Sequence, residues 1–154
     1  MQNLWGTIPV DVEQVWFPGV HCNVGGGYPE DVAGLSAIAL KWMTGKAEAA
    51  GLIVDPVMKA TLLPAQNTPG SGYAAPFAGS PPRESLTGLW WLVEFIPKTY
   101  KDPAATFATK WMIHAGRHLH VNDGTNIHVS VFERMNLIGD YKPPNLPTNY
   151  QRVS

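Results

Sequence analysis

The segment from residue 15 to 28, Val-Trp-Phe-Pro-Gly-Val-His-Cys-Asn-Val-Gly-Gly-Gly-Tyr, constrains this chain more than any other. Val15, Trp16 and Phe17 suit a short strand buried on both faces, as in a parallel sheet, and Pro18-Gly19 bends or ends it before His21. Gly25, Gly26 and Gly27 permit backbone angles that other residues resist, so the loop after His21 can fold tightly beside whatever the imidazole faces. This is the layout of a histidine loop at the carboxyl end of a sheet strand. Taken alone, His21 is open to two readings, a packed structural residue or a catalyst.

The strand and loop are followed by a helical pattern over 31–50. Val32, Leu35, Ala39, Trp42 and Met43 recur at helical spacing, and Gly51 offers a left-handed stop. From 56 to 82 the character changes: Pro64, Pro69, Pro76, Pro81 and Pro82 alternate with Gly, Ser and Ala, which reads as an irregular loop, either a lid or a surface excursion. Leu86 to Ile96 resumes a buried pattern compatible with helix or strand. Further on, Trp111-Met112-Ile113 and His118-Leu119-His120-Val121 read as strands. Asn122-Asp123-Gly124 then reads as a hairpin turn into Thr125-Asn126-Ile127-His128. Residues 141–154, with Pro143, Pro144 and Pro147, are expected to run as an extended surface tail.

Composition excludes several classes. Eleven basic residues against twelve acidic ones, with no basic block, argue against a nucleic-acid partner. Cys22 is the only cysteine, so no intrachain disulfide can form and a reducing compartment fits. Cys22 and His21 are not read as a thiolate–imidazole pair, because adjacent residues on an extended backbone point apart. The start MQNLWGTIPVDVEQ lacks the features of a secretory signal, and no run of 18 apolar residues marks a transmembrane helix. The localisation expected is cytoplasmic, or export by a route that needs no signal peptide. A hydrophobic share of 45% with six tryptophans supplies core material for a single domain.

Two further histidine patterns compete with local folding roles. His114, His118 and His120 have spacing that can hold zinc, but His114 lies beyond Gly116 and no carboxylate recurs at ligand spacing, so no metal site is assigned. His128 and Ser130 form a potential pair, yet Ser130-Val131-Phe132-Glu133 has the form of a capping box that opens a short helix with Ser130 as its cap.

The run VWFPGVHCNVGGGYPED, with LSAIALKWM and AGLIVD, resembles the α/β-hydrolase-like family that includes the catalytic domains of type VI secretion phospholipase effectors and their bacterial and fungal relatives. SLTGLWWL, NIHVSVFERM and YKPPNLP extend the resemblance towards the end of the chain. The resemblance implies an α/β fold and a serine, aspartate and histidine triad, with His21 as the histidine. It also implies active-site support from Asn23, Gly25, Gly26 and Gly27, and a place for His128 near the rim. Relatives often carry Asp where this chain has Asn23, so any carboxylate support for His21 is absent, although the Asn23 amide can still bond the loop. The family's nucleophile sits in a Gly-x-Ser-x-Gly elbow between strand and helix. No such elbow occurs here: Gly70-Ser71-Gly72 lies in the irregular segment and Ser36 inside a helical pattern.

Together these readings predict the carboxyl-terminal part of an α/β-hydrolase-like fold in residues 1–154, with a parallel strand, a histidine loop, a helix, a long Pro/Gly-rich loop at 56–82 and a late β-hairpin. The function expected is the histidine-bearing part of a phospholipase or esterase domain that acts without a cofactor on an ester or phospholipid, with an upstream half-domain or a second copy as partner. The alternative is a non-catalytic binding or assembly module derived from the same fold.

Overall fold

The computed structural model describes residues 12–66, 68–82, 95–102, 108–113 and 118–154. The described residues divide into two compact units, one drawn from Val15–Glu84 and Val121–Ser154, the other from Met1–Gln14 and Ser85–His120.

The first unit is built on a small parallel sheet in the order β1 (Val15–Trp16), β4 (Thr125–His128), β5 (Tyr150–Val153). Trp16 pairs with Ile127, and His128 with Val153. Among the described residues five helical segments accompany the sheet: α1 (His21–Gly25), a 3-10 turn at Glu30–Val32, α2 (Gly34–Ala49), α3 (Pro56–Leu62) and α4 (Val129–Leu137). Strands β4 and β5 with α4 between them form one parallel crossover unit. This is the α/β class expected.

Each buried cluster receives one residue from the β1 segment. Trp16 packs on Val121, Ile127 and Val131, while Phe17 packs on Leu35, Ile38 and Ala78. Burial of each aliphatic side chain contributes on the order of 1.5–3 kcal/mol. The helical pattern over 31–50 forms as the 3-10 turn and α2, with Leu35, Ala37 and Ile38 buried.

Three local expectations are corrected. Residues 56–62 are helical, because Pro56 at the first helical position already has the required φ and the Asp55 carboxylate accepts the Val57 and Met58 N–H groups at 2.7 and 3.0 Å. The Lys59–Glu48 ion pair, at 2.5 Å, ties this helix to α2. Thr125–His128 is a strand, but it enters no hairpin: it runs parallel between β1 and β5. The preceding turn docks elsewhere, with Gly124 N–H donating to Asn149 O at 2.8 Å and Asp123 accepting the Asn149 N–H at 3.1 Å. The terminal segment is likewise more than a surface tail, since Tyr150–Val153 completes the sheet.

The second unit contributes an antiparallel pair, β2 (Lys98–Asp102) with β3 (Ala108–Met112), with Lys98 opposite Met112. The pattern read at 86–96 falls mostly outside the described residues, as does His114.

Candidate functional site

Ligands of parallel α/β sheets gather beyond the carboxyl ends of the strands, and both histidines of interest follow such an end. His21 comes five residues after Trp16 and opens α1 rather than a loop; its side chain is exposed. The turn that leads to it is held by Asn23, only 4% exposed. The Asn23 amide oxygen accepts the Val20 N–H at 3.0 Å, and the Asn23 N–H donates to Val20 O at 2.8 Å. Gly19 has φ of +108°, and a Cβ there would lie 2.5 Å from Asn23 Cβ, so no other residue fits. Gly26 and Gly27 also have positive φ, at +83° and +110°, as the chain leaves α1 after Gly25. Cys22 is a free, partly buried thiol beside them.

His128 is the last residue of the central strand and is 8% exposed. Its ring stacks on Phe17, with centroids 4.6 Å apart and planes at 28°. Phe17 in turn meets Trp42 edge to face at 5.7 Å. Nδ1 of His128 lies 2.7 Å from Ser130 Oγ and accepts the Ser130 backbone N–H at 3.2 Å. His128 therefore caps α4, and Ser130 sits within the first turn instead of capping it, because the imidazole reaches the free N–H first. Burial pulls the His128 pKa below its ordinary value, and the Glu133 carboxylate offsets part of that shift. The ring is thus neutral near pH 7. With Nδ1 accepting from the backbone, Nε2 carries the proton. With Nδ1–H donating to Ser130 Oγ, Nε2 offers its lone pair as a base.

One face of His128 and Ser130 lines a cleft of about 850 Å³ between α2 and α4, with Trp42 and Phe77 among its walls. His21 is not among its lining residues. The Phe77 wall is anchored by Arg134, 1% exposed, which donates through Nη1 to Ala78 O and Ser80 O at 2.6 Å each. The same guanidinium lies 4.9 Å from the Tyr141 ring centroid. Burial lowers the Arg134 pKa and raises that of Tyr141, whose phenol also engages the Gly19 backbone.

Spacing did not point to Arg134, which reads as an ordinary solvent-facing helix residue. The cleft wall on α2 did leave a trace: residues 38, 41, 42, 45 and 46 form one helical stripe. His118 and His120 are exposed, and among the described residues no group of three or more His, Cys, Asp or Glu side chains is placed to hold a metal ion.

Residues 6–46 match the family described as "T6SS, Phospholipase effector Tle1-like, catalytic domain". The match spans about a quarter of the chain, taking in β1, the Asn23 turn and most of α2. No curated protein and no solved structure matches the chain.

Proposed function

We propose that this chain carries the histidine-bearing part of a serine-hydrolase-like phospholipase or esterase domain, in which His128 is the general base and the serine comes from sequence outside these 154 residues. The observation that carries this reading is the placement of His128: buried, at the carboxyl end of the central parallel strand, in the wall of a cleft of ligand size. In the reaction, Nε2 takes the serine proton as the hydroxyl oxygen attacks the ester carbonyl, then returns it to the leaving alcohol. For Nε2 to serve as the base the ring takes the tautomer in which Nδ1–H donates to Ser130 Oγ, giving up the bond from the Ser130 backbone N–H, while the stack on Phe17 fixes the ring plane.

The substrate class is a lipid ester, as the family description over residues 6–46 implies, and the same description points to export by a type VI secretion system. Among the described residues no helix is long and apolar enough to cross a membrane. A second reading assigns the base to His21, and one observation favours it: the family match includes His21 and stops well before His128.

Ester hydrolysis decides between them. A short-chain chromogenic ester and phospholipid vesicles are offered to this chain and to a longer one extended through any Gly-x-Ser-x-Gly segment encoded upstream. Activity is expected only in the longer chain, lost in His128→Ala and kept in His21→Ala. Loss in His21→Ala with activity kept in His128→Ala returns the role to His21. No hydrolysis by either chain favours the binding module.

A further inference from the structure

Two groups of Ser130 meet one nitrogen of His128. The hydroxyl oxygen lies 2.7 Å from Nδ1, and the Ser130 backbone N–H points at the same atom from 3.2 Å. They differ in what they can do. A hydroxyl rotates, so it donates or accepts as its neighbour requires, whereas a backbone amide only donates. The direction of this amide is set by the first turn of α4, to which Ser130 belongs. Ser130 is 1% exposed and His128 8%, so solvent does not stand in for a partner that is lost.

A serine-hydrolase triad sets its histidine the opposite way. There the group at Nδ1 is a carboxylate, which only accepts, so Nδ1 carries the proton and Nε2 keeps the lone pair that a base needs. Here the fixed group at Nδ1 is a donor. When Nδ1 is bare it accepts the amide bond, and the hydroxyl turns to donate as well, so all three groups are satisfied. When Nδ1 carries the proton the hydroxyl turns to accept it, but two N–H groups then face each other and the enclosed amide has lost its acceptor. A buried donor stripped of its partner disfavours that form by about tenfold or more. The stack on Phe17 keeps the plane of the ring, so the conflict is not relieved by tilting the imidazole.

We propose that Ser130 is a positioning residue that holds His128 at rest with its proton on Nε2, so that this chain carries its base switched off. The proposal rests on the reading of His128 as general base and names what governs that base. Conversion to the active form moves one proton from Nε2 to solvent and one from solvent to Nδ1. The ring is neutral before and after, and the cap of α4 is released. A hydroxyl placed to donate at Nε2 favours the conversion, because it binds the active form and not the resting one. The hydroxyl of the attacking serine is such a group.

The test is nuclear magnetic resonance of the full chain, labelled with nitrogen-15 at histidine and held at pH 7.5, where the His128 ring is neutral. Two-bond correlations between ring protons and ring nitrogens tell a bare nitrogen from a protonated one, and the His128 signals are those missing from His128→Asn. Nδ1 is expected bare and Nε2 protonated, in excess over the other form by about tenfold or more. Ser130→Ala removes the hydroxyl and keeps the amide, so the same tautomer is expected in similar excess. A dominant Nδ1–H form in the native chain, or comparable populations of the two, would overturn the proposal. So would comparable populations in Ser130→Ala, since the hydroxyl and not the amide would then be the pin. A merely structural Ser130 alters unfolding and leaves the ring nitrogens without preference. The measurement needs no turnover, so its failure removes the catch alone. Hydrolysis kept in His128→Ala removes the base reading instead, whichever tautomer the ring shows.

Discussion

His21 and His128 follow neighbouring strands of one parallel sheet, and each stands at the start of a helix. Around His21 the backbone is the ordered feature: Asn23 locks Val20, Gly19 makes room for Asn23, and the imidazole is left in solvent. Around His128 the side chain itself is ordered, stacked on Phe17, bonded to Ser130 and only 8% exposed. A glycine-rich motif can therefore be built to shape a turn while the enclosed imidazole comes from a plainer segment. Enclosure depends on what packs against a residue, and in this fold the ring stacked on His128, that of Phe17, lies more than a hundred positions earlier.

The sharpest way to break this contrast is to release the cleft wall without touching either histidine. Arg134→Leu leaves the carbonyls of Ala78 and Ser80 without their donor, and a loss of about 3–5 kcal/mol in urea unfolding is expected. A loss under about 1 kcal/mol would mean that apolar contacts alone hold the 76–80 segment. His128→Ala removes a ring stack and a helix cap together and should cost about 2–3 kcal/mol by the same assay. Asn23→Ala removes the partner of the Val20 N–H, and about 1–2 kcal/mol should follow.

Acidity tests the enclosure of His128 more finely. Burial holds the His128 pKa below its ordinary value of about 6.5, so the unfolded chain binds that proton more readily than the folded one. Stability tied to His128 is therefore full above that value and declines as pH falls through it. Unfolding curves at pH 7.5 and 5.5 should differ more in the native sequence than in His128→Asn, whose amide can still cap α4. An equal difference in both would show that other groups carry the acid sensitivity. His21→Ala should change stability by less than about 0.5 kcal/mol, as befits an exposed side chain; a larger loss would erase the comparison.

The candidate site was legible in the sequence only in part. His128, Ser130 and Asn23 all stood out by type, but their roles did not. Ser130-x-x-Glu133 satisfies a capping pattern, and the cap nevertheless belongs to His128, because a side chain arriving from the strand competes for the same N–H. Arg134 gave no sign: its burial depends on Ala78 and Ser80 carbonyls brought in from more than fifty residues away. The stripe on α2 that holds Trp42 becomes a cleft wall only because α4, from the other end of the chain, supplies the opposing side.

By itself the sequence determined the local grammar: Val15–Trp16 as a strand stopped by Pro18-Gly19, α2 from its apolar period, and a tight turn wherever glycine alone fits. Those features are set by φ preferences and by side-chain periods that act over a few residues. Tertiary structure decided the rest. Thr125–His128 has no local mark of its neighbours, and its parallel place between β1 and β5 comes from burying Ile127 with Trp16 on one face of the sheet. That pairing sets His128 beside Phe17 and leaves His21 outside, because burial and hydrogen bonding between distant segments are properties of the packed chain and not of any stretch within it.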